Sequence, residues 1–444
     1  GGREKWSKYR ATITPSLLEG EGWGGGTCKC PNRQTTKGLN VHLEPIQRPV
    51  PSLKAIAGDT SLTHISNAVI AFLFAASAPV AIVLGVGIKG GLSEADMASW
   101  IFGGFAVNGV LSMIISLLYR QPLSFFWTIP GTVLVGPALG HLSFPEVIGA
   151  FFVTGLLLLI LGLSGWVKKI MALLPMPIIM AMVAGVFLQF GIDWIKAIGE
   201  TPLIAAPMTA AFILLSFNAK IAARFPPMIG VLVVGIIAVW ATGSFAPEGT
   251  LNTSMAAPSV YVPEFSWAAI FELVVPLAVT VLAAQNAQGI AILSAKGHNP
   301  PVNTITAVCG AGSIITAAFG AVSTCLTGPV NAILSSSGEK HQHYIAALAI
   351  GILAILFGAY APLFTKLMLA APPAFIATLA GLALLRVLQN SFVVSFGGNF
   401  SLGALVSFLV TVVDQSLFNI GAPFWGLVFG LATSWLLERD AFKK

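Results

Sequence analysis

Three carboxamides within four positions interrupt an apolar run: Ala283-Ala-Gln-Asn-Ala-Gln-Gly289 contains Gln285, Asn286 and Gln288. In hydrocarbon each such group is costly unless it meets a partner. Gln285 and Gln288 stand three apart and share one helix face, whereas Asn286 points elsewhere. Two chemistries fit this pattern. The amides tie neighbouring helices together, or they donate hydrogen bonds to a carboxylate without placing a full charge in low dielectric.

Two short segments carry the complementary feature. They are Gln121-Pro-Leu-Ser-Phe-Phe-Trp-Thr-Ile-Pro-Gly131 and Phe319-Gly-Ala-Val-Ser-Thr-Cys-Leu-Thr-Gly-Pro329. Thr128 and Thr324 lie 196 positions apart, and a Pro-Gly or Gly-Pro step follows each. Pro lacks a donor and Gly lowers helix propensity, so each segment is expected to enter extended and become helical partway through. Backbone of that kind is tolerated within a membrane only where it is buried in protein or lines a cavity. Two half-helices aiming their N-termini at one place would attract an anion, a carboxylate in particular. Thr128, Ser323 and Thr324 are its candidate hydroxyls, and Trp127 with Phe125 and Phe126 offers a wall for an aromatic ring. A plainer reading is a pair of kinks in packed helices, but packing alone gives little reason for breaks at matched places.

Ser77 is the polar group nearest mid-membrane in the first apolar run, where Pro79 matches Pro276 at an offset of 197. It is a candidate contact, although a serine in a span commonly bonds its own backbone. Glu272 and Asp414 are the acidic candidates for proton coupling, with solvated helix ends as the alternative. None of the six His lies clearly deep in a run; His298, His341 and His343 fall in loops and His64 at the inner end of the first run. Cys28, Cys30, Cys309 and Cys325 make neither a zinc pattern nor a disulfide framework. With no metal motif, no phosphate loop, no cofactor signature and no nucleophile–base cluster, the chain does not read as an enzyme.

These residues need a membrane scaffold. Of 444 residues, 56% are apolar and 9% charged, far below the roughly one-quarter charge of a soluble domain. A crossing of about 30 Å takes roughly 20 mostly apolar residues. Fourteen segments qualify: 62–87, 95–119, 123–140, 146–165, 171–192, 202–218, 227–245, 267–293, 302–319, 323–337, 342–362, 367–389, 399–413 and 423–437. The basic residues sort with this count. With the N-terminus cytoplasmic, nine of the 23 Lys and Arg lie in the tail, and only Lys89, Lys196 and Lys366 face outward. The inner loops and C-terminus hold Arg120, Lys168, Lys169, Lys220, Arg224, Lys296, Lys340, Arg386, Arg439, Lys443 and Lys444. The pI of about 9.2 is thereby explained by topology and anionic lipid, and no nucleic-acid partner is expected.

The chain also repeats itself. Gly155 and Gly351, Gly162 and Gly358, Pro177 and Pro373, and Gly185 and Gly381 are each 196 apart; Lys169 and Lys366, and Pro175 and Pro372, are 197 apart. Seven spans per copy, an odd number, force the copies into opposite orientations. The expected fold is thus an all-α polytopic membrane protein, a 7+7 inverted repeat in which spans 3 and 10 are broken half-helices preceded by short extended segments. Residues 1–58 form a polar tail, expected to be disordered, an upstream extension or a cloning remnant. The first copy is 59–245, an extracytoplasmic linker 246–266, and the second copy 267–444. No cleavable signal peptide is visible, and a homodimer is compatible with this organisation.

Gln-Asn-Ala-x-Gly at 285–289, Trp-Thr-x-Pro-Gly at 127–131, Phe424-Trp-Gly426 and the opening Asp59-Thr-Ser-Leu-Thr-His64 resemble the benzoate membrane-transport family, the BenE-type benzoate:proton symporters. The resemblance runs from residue 59 to the C-terminus and excludes the tail. It implies inner-membrane uptake of benzoate or a related aromatic carboxylate with protons, by alternating access. The implied fold is similar to that of nucleobase:cation symporters and sulfate permeases. In it, spans 1–4 and 8–11 form a core carrying the site, and spans 5–7 and 12–14 a gate. Nucleobase symporters place a Glu where this chain has Gln285, and a neutral amide suits an anion better. Gln288 stands where the family usually has Pro, which implies a more polar or larger aromatic acid. A nucleobase or inorganic-anion carrier on the same fold, and an anion channel, are the alternatives.

Overall fold

Apolar runs with few charges fold as helices whose ends are set by proline, glycine and short polar caps. The computed structural model describes residues 42–46, 49–167, 169, 175–217, 227–246, 255–336, 338–415, 417–418 and 420–443. Cys28, Cys30, Lys168, Lys220, Arg224, Lys444, most of the tail and residues 247–254 of the linker lie outside the described residues.

A short helix α1 (Leu53–Asp59) precedes α2 (Leu62–Ala76) and α3 (Ala78–Lys89). Then come α4 (Glu94–Tyr119), β1 (Phe125–Trp127), α5 (Ile129–Ala138), α6 (Phe144–Ser164), α7 (Met176–Glu200), α8 (Pro202–Ser216) and α9 (Pro227–Ala241). The second half has α10 (Trp267–Ala295), α11 (Val302–Ala317), β2 (Thr324–Leu326), α12 (Gly328–Leu334), α13 (His343–Ala359), α14 (Ala361–Leu369), α15 (Pro373–Phe396), α16 (Ser401–Val413) and α17 (Ala422–Leu437). Among the described residues, seven helices are long and apolar enough to cross a membrane by length and composition, with α2 and α3 taken together as Leu62–Lys89 and α13 with its preceding turn as Lys340–Ala359. Others, such as α5, α11 and α16, are apolar but shorter. Capping boxes at Ser93/Asp96 and Ser143/Glu146 fix the starts of α4 and α6.

The structure is an inverted repeat, and the repeated glycines have matched jobs. Gly155 and Gly162 of α6 press against Gly310, Ile314 and Ala307 of α11; Gly351 and Gly358 of α13 press against Gly109, Met113 and Ala106 of α4. A Cβ added at Gly162 would stand 2.3 Å from the Ala307 nitrogen, and one at Gly358 2.8 Å from that of Ala106. Small residues let the backbones approach where no hydrophobic effect drives helices together. Pro177 and Pro373 occupy the first turns of α7 and α15, where a missing N–H costs nothing.

Two packing groups result. Helices α2–α6 pack with α10–α13, and α7–α9 pack with α15–α17. The groups meet where α3 touches α15, α5 touches α7, α2 touches α9 and α10 touches α17.

The end of the tail differs from the expectation. His42 N–H donates to the Leu163 carbonyl, and the Glu44 carboxylate accepts from the backbone of Asn303 and Thr304, capping α11. An anionic side chain at a helix N-terminus satisfies otherwise orphaned N–H groups. The segment around Glu44 is therefore docked, and α1 follows it.

Candidate functional site

The two expected extended segments are present and pair with each other. β1 and β2 run antiparallel, with Phe125 opposite Leu326, Phe126 opposite Cys325 and Trp127 opposite Thr324. Just outside the ladder, Thr128 N–H donates to Ser323 O at 3.0 Å and Thr327 N–H to Ser124 O at 3.2 Å, a two-fold related pair of bonds. Strands this short leave edges, which lipid cannot satisfy. Side chains close them instead. Ser112 and Ser116, one turn apart on α4, accept from the N–H groups of Phe125 and Leu123. Ser313 of α11 accepts from Thr324, Asn331 of α12 from Ser124, and Asn286 of α10 from Leu326.

That arrangement sorts the candidate residues. Asn286 is structural: Oδ1 accepts from Leu326 at 2.8 Å and Nδ2 reaches Cys309 Sγ. Thr324 lies within β2, and its hydroxyl donates to Asn108 Oδ1 at 2.8 Å. The residue that precedes the second half-helix is Thr327, so the local offset from Thr128 is 199 and not 196. Thr128 caps α5, accepting from Gly131 N–H while it donates to Thr280. Because α12 has only seven residues, α5 is the longer of the two half-helices. Ser77 sits in the break between α2 and α3 and donates to the Phe74 carbonyl, the self-bonding role.

Gln285 and Gln288 do not behave as a matched pair. Thr280–Asn286 is a π-helical turn, whose extra residue shifts the facing of side chains expected from three-apart spacing. Gln285 is 8% exposed with its Oε1 buried and unpartnered, whereas Gln288 is exposed beside Gly328. Ser124 Oγ, Trp127 Nε1 and Ser323 Oγ are likewise buried without hydrogen-bond partners. These four groups lie on or against the strand pair. The Trp127 ring packs on Gly104 and edge-on to Phe105 and Phe126, in an aromatic cluster that includes Phe72 and Phe357. The two hydroxyls and the indole N–H are unused donors, and the rings around Trp127 form an apolar wall beside them.

A cavity of about 300 Å³ opens between the packing groups, lined by Val86, Lys89, Val133, Gln189, Asp414 and Pro423 among others. Lys89 of α3 bridges this seam as an ion pair with Asp193 of α7. Asp414 is at the end of α16 with φ +53°, and burial raises its carboxyl above the usual range. Glu272 is buried, and its partner is a residue not anticipated: His141, in the turn between α5 and α6, approaches it at 2.8 Å. No sequence spacing signals this pair, because 131 positions separate its members.

Residues 58–436 match the family described as Benzoate membrane transport protein, BenE. The chain is 28% identical over 398 residues to the benzoate membrane transport protein of Acinetobacter baylyi, covering 87% of this chain and 98% of that one. It is 30% identical over 365 residues to the inner membrane protein YdcO of Escherichia coli, covering 81% and 92% respectively. Among solved structures, the transmembrane domain of a cyanobacterial bicarbonate transporter, BicA, superposes with a TM-score of 0.55 at 14% identity, over 83% of this chain and 97% of that one. The murine anion transporter Slc26a9 in its inward-facing state gives 0.56 at 12% identity, over 92% and 77%. At these identities the structural likeness is one of fold.

Proposed function

The chain belongs to the benzoate membrane transport family, and from that premise we propose that it imports benzoate or a related small aromatic carboxylate by proton symport. It is a multi-pass membrane transport protein and not an enzyme. The observation that carries the finer reading is the set of buried, unpartnered groups at the strand pair: Trp127 Nε1, Gln285 Oε1, Ser124 Oγ and Ser323 Oγ. Left unpaired, each costs about 1–3 kcal/mol. A bound carboxylate accepts from the indole N–H and from one of the two hydroxyls, which stand at opposite ends of the ladder, while the ring lies along Phe105. The Gln285 amide, turned to present its NH₂, is a further donor.

In this reading the α2–α6 and α10–α13 group is the core that carries substrate, and the other group is the gate. Alternating access moves one against the other along the seam of Lys89 and Asp193. Both termini face the cytoplasm of a bacterial inner membrane, which puts Lys89, His141 and Glu272 at the outer side.

Uptake of labelled benzoate into proteoliposomes, net of protein-free vesicles, tests the proposal against unlabelled uracil and bicarbonate as competitors. Benzoate should compete and uracil should not. Competition by bicarbonate alone would favour an inorganic-anion carrier, the activity named for the BicA neighbour. One proton per carboxylate moves no net charge. Uptake should then be unchanged by an imposed potential, whereas each unbalanced charge would exchange about 2.3 kcal/mol per 100 mV.

A further inference from the structure

The His141–Glu272 pair joins three elements at the end of the molecule where α5 turns into α6. His141 Nε2 lies 2.8 Å from Glu272 Oε2, and the two side chains are 21% and 2% exposed. Glu272 stands in the first π-helical turn of α10, Ile270–Val274, and its Oε1 faces the backbone at Gly421, just before α17. A Cβ at Gly421 would sit 2.3 Å from that oxygen, so glycine is what allows α17 to approach the carboxylate. Since α5 and α10 belong to one packing group and α17 to the other, the carboxylate lies on the surface along which the groups must part. The other titratable groups acting on the pair are both acidic: Glu146 in the first turn of α6 and Asp414 at the end of α16.

A buried carboxylate must be paired with a cation or protonated. His141, part exposed, can take a proton from solution. It then passes that proton from Nε2 to Glu272 Oε2, turning an imidazolium–carboxylate pair into a neutral one, and can be charged again. We propose that His141 and Glu272 together are the proton-loading site of the transport cycle, with Gly421 as the contact that responds to their protonation state. This rests on the symport reading above.

The test uses Glu272→Gln and His141→Gln in proteoliposomes, with benzoate exchange at equal pH and uptake driven by a pH step measured side by side. One pH unit at one proton per benzoate drives about tenfold accumulation. Glu272→Gln should lose the driven uptake while still exchanging. His141→Gln should slow driven uptake and change its pH profile, because it removes the proton donor 2.8 Å from Glu272 Oε2. Wild-type driven uptake in Glu272→Gln would overturn the proposal, as would parallel loss of exchange, uptake and thermal stability in both variants, which marks a structural pair. If the wild type itself exchanges but shows no driven uptake, the symport reading fails. Infrared titration then judges the site alone: a pH-dependent carboxyl band that Glu272→Gln removes and His141→Gln shifts supports it, and an unaltered spectrum refutes it.

Discussion

Gln285 and Asn286 are neighbours with opposite duties. The Asn286 amide holds the Leu326 N–H of β2, so Asn286→Ala leaves a buried donor unpaired at a cost of about 1–3 kcal/mol. Its melting temperature in detergent should fall accordingly. Gln285 Oε1 holds nothing in the fold, so Gln285→Ala should melt like the wild type and lose benzoate uptake. Full uptake in that variant would remove Gln285 from the site. Trp127→Phe keeps a ring on Gly104 but deletes a buried donor. Its KM for benzoate should rise about tenfold, the equivalent of roughly 1.4 kcal/mol and one hydrogen bond. The sequence showed that costly amides were present, but not which one the fold consumes, since that depends on a strand 40 residues away.

At the scale of elements, the extended segments were legible because Pro is tolerated in a first helical turn and not in a helix interior, so Pro130 and Pro329 mark where α5 and α12 begin, whereas the pairing of the segments was not. The serines that close the strand edges, Ser112, Ser116 and Ser313, sit on other helices and look like ordinary span hydroxyls. Ser112→Ala should cost about 1–3 kcal/mol by orphaning Phe125 N–H, a loss visible as a lower melting temperature. Repeat arithmetic placed Thr324 opposite Thr128, yet the hydrogen bonds choose Thr327, because the offset that holds across α6 and α13 slips by three residues at the strands. The glycine pairs were legible as a repeat but not as contacts. Their partners Ala307 and Ala106 lie in helices where the repeat is too weak to read.

For the whole molecule, the sequence carried the inverted plan, since glycines and prolines recur at a fixed offset across its two halves. It missed contacts that fasten separate parts, such as Glu44 on α11, Lys89 with Asp193, and a buried histidine pair between the end of α10 and the start of α13. There His298 Nε2 lies 3.1 Å from His343 Nδ1. Burial, with His343 and Lys340 nearby, lowers His298 from 6.5 to about 4. Between those values the unfolded chain binds a proton that the folded chain refuses, so stability falls as pH drops through that window and is level above it. The slope is at most about 1.4 kcal/mol per pH unit. Melting temperatures at pH 7 and pH 5 should show the drop, and His298→Gln should flatten it. The strand ladder has a corollary for how such a chain can be divided. Cut between residues 247 and 254, each piece would carry one half of a two-sided seam, with peptide groups bare to lipid. Either fragment produced alone should be degraded, and the two produced together should reassemble into a working carrier.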